Sequence, residues 1–279
     1  MIEHPELIGA RRLMETFERH GFRPNKAWGQ NFVIDPNTIR KVVDVSGVGP
    51  SNRVVEVGAG GGSLTLALAA ACSWVYAIEY DDRLLPILSE LLSGTPNVAI
   101  VHGDALTLDP NAFDATHVVG NLPYNIATAV VLRLLEHGSQ IGDITAMTQR
   151  EVGERLAATP GSKAYGLPSV MVRYHATARV VARVSRRAFY PVPNVDSVVV
   201  RLVRNDGTPS VDRERFHTVA KAAFSQRRKT LRNALAGVAG SVAGAEAAIR
   251  DAGLRPNARA EEIDADGFDA LARRLPQGG

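Results

Sequence analysis

The chain has 279 residues, of which 45% are hydrophobic, and a formal net charge of +3. This composition excludes a fully disordered protein. A membrane-spanning helix needs about 18 apolar residues in succession, and no apolar run in the sequence is that long. The single cysteine, Cys72, excludes a disulfide framework and a cysteine-rich zinc site. No basic-then-apolar segment opens the sequence, so we expect a cytoplasmic protein without membrane contact.

Strand and helix patterns alternate along the first half of the chain. Short apolar runs predict strands, and Leu- or Ala-rich stretches between them predict helices. The predicted strands are Arg53–Val57, Trp74–Glu79, Val98–His102, His117–Gly120 and Ile144–Met147. The predicted helices are Leu64–Ala71, Leu84–Leu92 and Ala127–Glu136. Because this alternation is typical of βαβ units, we expect an α/β fold with a parallel sheet.

The pattern changes after residue 150. Val180–Val184 and Val198–Val203 predict a closing antiparallel pair of strands. The polar segment Asn205–Pro209 is a break typical of a domain boundary, so we predict domains at 1–204 and 205–279. Four further helices predict a small all-α C-terminal domain. They are Arg213–Phe224, Thr230–Ala236, Gly244–Ala252 and Phe268–Leu275.

A glycine-rich turn follows the first of these strands. Gly58 and Gly60 allow the backbone to approach a ligand, and the next helix offers unpaired N–H groups. Glu79, about 20 residues on, can hold a ribose diol. A dinucleotide oxidoreductase would carry a third glycine where Ser63 stands, whereas a methyltransferase using S-adenosylmethionine (SAM) has an acidic residue at the position of Glu56. The turn therefore indicates a nucleoside-containing cofactor, with a purely structural turn as the alternative.

Two more motifs follow the next strands. Asp104, in Gly103-Asp104-Ala105, can accept a hydrogen bond from an adenine amine, although an Asp that caps a turn has the same pattern. Asn121-Leu122-Pro123-Tyr124 places an amide oxygen and a carbonyl where they can orient an exocyclic amine for attack on a methylsulfonium group. Pro123 would fix the turn, and the Tyr124 ring would stack on a flipped base.

With these motifs the chain resembles the ribosomal RNA adenine-N6 dimethyltransferases, in particular the bacterial small-subunit (KsgA-type) branch. Further strings carry the resemblance over nearly the whole length. They are Gly29-Gln-Asn-Phe32, Gln149-Arg-Glu-Val152, Ser162-Lys-Ala-Tyr-Gly166, Phe189-Tyr-Pro-Val-Pro-Asn-Val-Asp-Ser197 and Phe224-Ser-Gln-Arg-Arg-Lys-Thr-Leu-Arg-Asn233. The resemblance implies a Rossmann-like SAM methyltransferase domain with a mostly parallel seven-stranded sheet.

The resemblance also implies roles for individual residues. The implied catalytic group orients the amine and clamps the base, with Phe189 opposite Tyr124. It consists of Asn121, Leu122, Pro123, Tyr124 and Phe189. The implied SAM-binding residues are Gln30, Asn31, Val33, Gly58, Gly60, Glu79, Asp104, Ala105 and Asn121. No metal is implied.

Basic residues concentrate in one part of the chain. Residues 42–145 carry 3 basic and 11 acidic side chains, whereas residues 146–235 carry 17 and 6. This asymmetry favours a polyanion partner over a set of solvated arginines. The residues expected to bind RNA phosphates are Arg186, Arg187, Arg227, Arg228, Lys229 and Arg232. Arg179 and Arg183 are further candidates on the same argument.

The resemblance implies SAM-dependent dimethylation of N6 of two adjacent adenines in the 3′-terminal hairpin of small-subunit (16S) rRNA. The expected partner is that rRNA in the immature 30S particle, in connection with small-subunit biogenesis, and the chain is expected to be a monomer. Two alternatives stay open: a large-subunit rRNA dimethyltransferase of the macrolide-resistance type, and an assembly factor that binds RNA with little catalysis.

Overall fold

The computed structural model describes residues 7–25, 28–206, 211–226 and 229–276. Its strands are β1 Phe32–Val33, β2 Arg53–Val57, β3 Trp74–Glu79, β4 Val98–His102, β5 His117–Asn121, β6 Asp143–Gln149, β7 Ala176–Val184, β8 Phe189–Tyr190 and β9 Ser197–Arg204. Its helices are α1 Ala10–Arg19, α2 Pro36–Val45, α3 Ser63–Ala71, α4 Leu85–Leu91, α5 Ala127–His137, α6 Arg150–Leu156, α7 Leu167–His175, α8 Arg213–Phe224, α9 Leu231–Ala234, α10 Ala236–Ala239, α11 Val242–Asp251 and α12 Ala265–Arg274.

The main sheet has seven strands in the order β4-β3-β2-β5-β6-β9-β7. The pairs from β4 to β6 are parallel, and β9 joins β6 antiparallel. The central strands β2 and β5 are buried on both faces over most of their length, which explains their Val-rich sequences. The predicted α/β class with a mostly parallel seven-stranded sheet is confirmed.

The direction of chain progression reverses next to β2. From β2 the chain moves outward through β3 to β4, and then returns to β5 on the other side of β2. Ligands in open α/β sheets bind beyond the carboxyl ends of the strands at such a reversal. The residues at those ends are Val57, Glu79, His102 and Asn121.

The chain divides into two compact units. One consists of Met1–Glu154 with Ala178–Arg204, and the other of Arg155–Thr177 with Asn205–Gly279. The division after residue 204 falls where the polar break predicted it, but residues 155–177, assigned by prediction to the first domain, cluster with the helical unit. Aromatic packing inside that unit explains this, because the ring of Tyr174 in α7 lies 4.2 Å from that of Phe216 in α8.

Some helices differ from the predictions. The single helix expected at Thr230–Ala236 is wrong: two short helices, α9 and α10, meet at Leu235. The glycines of α10 and its C-terminal cap have low helix propensity, which favours short segments. Helix α2 was not predicted, although its start carries a recognisable signal, since Asp35 accepts from the N–H of Thr38 at 3.0 Å and Pro36 follows it.

Candidate functional site

A cavity of about 240 Å³ opens at the carboxyl ends of β2, β3, β4 and β5 in the first unit. Glycines, carboxylates, amides and aromatic rings line it. The lining residues are Trp28, Gly29, Gln30, Asn31, Phe32, Val57, Gly58, Gly60, Ile78, Glu79, Tyr80, Leu84, Gly103, Asp104, Ala105, Leu106, Asn121, Pro123, Asn125 and Ile126. The sequence motifs that follow four separate strands therefore meet in one place.

The glycine turn forms the floor of this cavity. Gly58 has φ +79° and Gly60 φ +56°, a backbone region that residues with a Cβ rarely adopt. A Cβ on Gly60 would also lie 3.0 Å from the Phe32 ring. Any side chain at Gly60 would thus strain the backbone and push against the Phe32 ring.

The Glu79 carboxylate is held by three backbone N–H groups. Oε1 accepts from Tyr80 and Asp81, each at 2.9 Å, and Oε2 accepts from Gly60 at 2.8 Å. Burial raises the pKa of Glu79, and these three hydrogen bonds oppose the rise. A carboxylate has about four acceptor positions, so one on Oε2 is left for a ligand hydroxyl.

Asp104 has one oxygen engaged and one available. Its Oδ1 accepts from the N–H of Leu106 at 2.8 Å, which fixes the turn after β4. Among the described residues no donor contacts Oδ2. The capping role and a ligand role are therefore compatible in the same side chain.

Residues 28–31, which we call the rim segment, lie along the edge of the cavity. Gln30 Nε2 donates to Asp81 Oδ2 at 2.7 Å, and the ring of Trp28 contacts that of Tyr80 with centroids 5.7 Å apart. The backbone carbonyl of Asn31 accepts from Nδ2 of Asn121 at 2.7 Å. The rim segment is thereby attached both to the β3 end and to the β5 end.

The Asn121–Tyr124 motif turns from β5 into α5. The N–H of Leu122 donates to Met147 in β6 at 2.9 Å, and the carbonyl of Pro123 accepts from Ala127 at 3.0 Å. Tyr124 is half-buried, and its hydroxyl lies 3.2 Å from Ser197 Oγ. Burial raises the pKa of Tyr124, whereas the hydrogen bond with Ser197 opposes this rise. Asn121 and Pro123 line the cavity; Leu122 is buried beside it.

Besides Leu122 and Tyr124, two more predicted site residues do not line the large cavity. Phe189 is 0% exposed and lies in the hydrophobic cluster of the first unit, as does Val33, with which it pairs in the small β1–β8 sheet. The prediction that the Phe189 ring stacks on a base is not met in this conformation, because an enclosed ring has no face open to a ligand. Val33 lines only a smaller neighbouring cavity.

The residues predicted to bind RNA differ in their surroundings. Arg186 and Arg187 are exposed, lie in a short 3-10 turn just before β8, and have no side-chain partner among the described residues. Lys229 is exposed, whereas Arg232 lies 3.5 Å from Glu246, which competes with any phosphate contact. Arg227 and Arg228 lie outside the described residues.

The cavity also contains residues that the motifs did not indicate. Tyr80 is 60% exposed and Trp28 44% exposed, and the Arg83 guanidinium lies 5.6 Å from the Trp28 ring. Leu106 and Ile126 add apolar surface nearby. Tyr80 could have been found from its position directly after Glu79, but Trp28 carries no signal without the contact to Tyr80.

The described part of the chain has neither a membrane-spanning helix nor a cluster of metal-ligating side chains. No helix there is both long and apolar enough to cross a bilayer. Nor does that part bring three or more His, Cys, Asp or Glu side chains together in a way that could hold a metal ion.

Solved structures of similar fold include two that match nearly the whole chain. A dimethyladenosine transferase from Plasmodium falciparum superimposes with a TM-score of 0.75 at 23% identity, covering 86% of this chain and 95% of that one, and shows the shared fold. The 23S rRNA methyltransferase ErmE has a TM-score of 0.70 at 30% identity, covering 88% of this chain and 100% of that one.

Sequence relatives are more similar still. Proteins named ribosomal RNA small subunit methyltransferase A are 43% identical in Streptomyces griseus, over 99% of this chain and 97% of theirs, and 45% identical in Thermobifida fusca, over 92% of each. The family model for ribosomal RNA adenine dimethylases matches residues 21–275. On this match, and with the site described above, the chain belongs to the ribosomal RNA adenine dimethylase family.

Proposed function

We propose that this chain uses SAM to dimethylate N6 of two adjacent adenines in the 3′-terminal hairpin of small-subunit rRNA. The observation that carries the proposal is that Asn121, at the end of β5, lines the same cavity as Glu79 and Asp104. One end of that cavity thus has acceptors suited to a nucleoside, and another has an amide suited to an amine.

The residues present fit the cofactor. Glu79 Oε2 retains an acceptor position for a ribose hydroxyl, and Asp104 Oδ2 for an adenine amine. The exposed Tyr80 ring, with Ala105 and Ile126 also on the cavity, offers apolar surface for a purine. When bound, SAM supplies an electrophilic methyl group on a sulfonium.

Asn121 would prepare the attacking nitrogen. The lone pair of an exocyclic amine is conjugated into the ring, so acceptors that draw its hydrogens out of plane favour attack. The bond from Asn121 Nδ2 to the Asn31 carbonyl fixes the orientation of the amide, because a carbonyl can only accept. Oδ1 is therefore left as the acceptor for the target amine. The Leu122 carbonyl would be the second acceptor, and the Tyr124 ring would support the base.

The choice of small-subunit RNA rests on similarity. The relatives named for the small subunit are 42–45% identical, whereas the solved 23S rRNA enzyme is 30% identical. Arg186 and Arg187, exposed next to β8, would contact phosphates and position the RNA without reading its sequence. We further propose that the chain acts as a monomer, in the cytoplasm, on the immature 30S particle during small-subunit biogenesis.

Transfer of tritiated methyl from SAM to defined RNA tests the proposal. The acceptors are small subunits that lack adenine dimethylation and, in parallel, unmodified large-subunit rRNA, with the label then mapped to nucleotides. We expect label on two adjacent adenines near the 3′ end of small-subunit rRNA, with close to four methyl groups per particle.

Other outcomes select the alternatives. Label on large-subunit RNA would assign the chain to the resistance-type reaction. Tight binding to small subunits without label would instead assign it to assembly without catalysis.

A further inference from the structure

The hydroxyl of Tyr124 lies next to a buried serine. Tyr124 is only partly buried, whereas Ser197 is 1% exposed, and their hydroxyl oxygens are 3.2 Å apart, within hydrogen-bond distance. A buried hydroxyl is costly without a partner, and among the described residues Tyr124 is the partner that Ser197 has. The polar residue at this point of the core is therefore explained by its contact with Tyr124.

The fold gives Ser197 a fixed position. It is the first residue of β9 and pairs with Gln149 at the end of β6. The preceding residue, Asp196, is tied at two points, because its carbonyl accepts from the N–H of Arg150 at 3.0 Å and its Oδ1 from the N–H of Arg186 at 3.0 Å. A hydroxyl placed on a sheet strand in this way is a rigid point of attachment for a neighbouring side chain.

The Tyr124 ring is held at two ends. At its backbone end, the N–H of Leu122 and the carbonyl of Pro123 are both hydrogen-bonded, which fixes the turn after β5. The turn alone does not fix the ring, since a side chain has several staggered rotamers. The contact with Ser197 adds the second point, and it joins segments that lie on either side of β6.

Only one of the two rings expected to clamp the target base is open to a ligand. Phe189 is enclosed in the hydrophobic cluster, whereas Tyr124 is partly exposed. Stacking on an aromatic ring holds a base without reading its sequence. With a single ring available, any shift of Tyr124 would move the base as well.

The two methyl transfers to one adenine place different demands on the site. An unmodified amine has two hydrogens, one for Asn121 Oδ1 and one for the Leu122 carbonyl, whereas a monomethylated amine has only one. In each transfer the nitrogen lone pair forms the new N–C bond, the C–S bond of the sulfonium breaks with its electron pair left on sulfur, and the nitrogen then loses a proton to water. Because the second transfer has one hydrogen bond fewer to orient the amine, it depends more on the ring that supports the base.

We propose that Ser197 is a positioning residue which, through the Tyr124 hydroxyl, governs the step from monomethyladenine to dimethyladenine. The inference rests on the proposed function, in which N6 is methylated twice. The Tyr124 hydroxyl acts as an anchor and does not take the proton that the amine loses, because burial raises its pKa and the phenol stays neutral at pH 7.

Single-turnover methyl transfer to two substrates separates the steps. One substrate is the small subunit without adenine dimethylation, and the other is the same particle reconstituted with N6-methyladenine at both target positions. Nucleosides are then quantified by mass spectrometry. We expect Ser197→Ala to slow the first transfer by about twofold and the second by about tenfold, the upper range for one neutral hydrogen bond, so that monomethyladenine accumulates.

Tyr124→Phe removes the other half of the same contact and keeps the ring. It should produce the same excess of monomethyladenine, and the double variant should be no slower than either single variant. Ser46→Ala is the matched control. The Ser46 hydroxyl is also buried in the first unit and donates to the Val43 carbonyl at 2.7 Å, away from the site, so its removal should leave the product ratio at the native value.

Equal slowing of both transfers in Ser197→Ala would overturn the link to the second methylation. Additive losses in the double variant would show that the two hydroxyls act separately and would overturn the positioning role. Either result would leave the proposed function intact. Absence of transfer by the native chain to both particles would instead overturn the proposed function, and this inference with it.

Discussion

The two walls of the large cavity differ in their chemistry. The wall at the ends of β3 and β4 presents the carboxylates of Glu79 and Asp104, whereas the wall formed by β5 and the rim segment presents the amides of Gln30, Asn31 and Asn121. Carboxylates gain and lose protons, but amides keep the same donors and acceptors at every pH. We therefore expect the pH dependence of the reaction to arise in cofactor binding, and the geometry of the target amine to be independent of pH.

The largest effect should come from the buried ring of Phe189. Because Phe189 is fully buried, Phe189→Ala should lower the free energy of unfolding by about 3–5 kcal/mol, measured by denaturant titration. Phe189→Leu, which keeps a large apolar side chain in the cluster, should cost less than Phe189→Ala and retain methyl transfer. A stable Phe189→Leu chain that binds SAM but transfers no methyl would show instead that the ring reaches the base.

The amide wall itself is tested by Asn121→Ala. Removing one preorganised acceptor should lower the rate of methyl transfer by about 10²–10³-fold, with SAM affinity within a few-fold of the native value. Single-turnover transfer and equilibrium SAM binding are the two measurements. Equal loss of both would mean that Asn121 holds the cofactor or the rim segment, to which it is bonded through Asn31, more than the amine.

The carboxylate wall should respond in the opposite manner. Glu79→Gln exchanges one acceptor oxygen for a donor and removes charge-assisted bonds to three backbone N–H groups. We expect SAM affinity to fall by about tenfold or more, because such bonds contribute about 1.5–3 kcal/mol, while transfer at saturating SAM falls less. A change in the transfer rate at saturation as large as that in Asn121→Ala would remove the distinction between the walls.

The smallest effect should come from the connection between the walls. Gln30→Ala removes the hydrogen bond to Asp81. Burial raises the pKa of Asp81, but the hydrogen bonds from Arg83 and Gln30 outweigh burial, so the pKa is lowered overall. One such bond contributes about 1 kcal/mol, so SAM affinity should fall by about fivefold. Arg250 forms an exposed ion pair with Glu246 in the helical unit. Arg250→Gln is therefore the control and should leave SAM affinity unchanged.

The sequence predicted the site better than it predicted the packing around it. Residues such as Gly58, Glu79, Asp104 and Asn121 each lie at or just after the end of a strand. Parallel strands bring their carboxyl ends to one edge, so local patterns were enough to bring these residues together. Local patterns did not predict that residues 155–177 cluster with the helical unit, nor that the Phe189 ring is buried. Both depend on contacts between segments far apart in the chain.

By itself, the sequence determined the strand–helix alternation, the glycine turn, the carboxylates at the ends of β3 and β4, and the family. These features depend on residue type, periodicity and short spacing, which the chain carries locally. Only the tertiary structure decided that the Asn31 carbonyl orients the Asn121 amide and that Phe189 is enclosed. Burial and hydrogen-bond pairing are set by which distant segments meet, and periodicity within one segment does not contain that information.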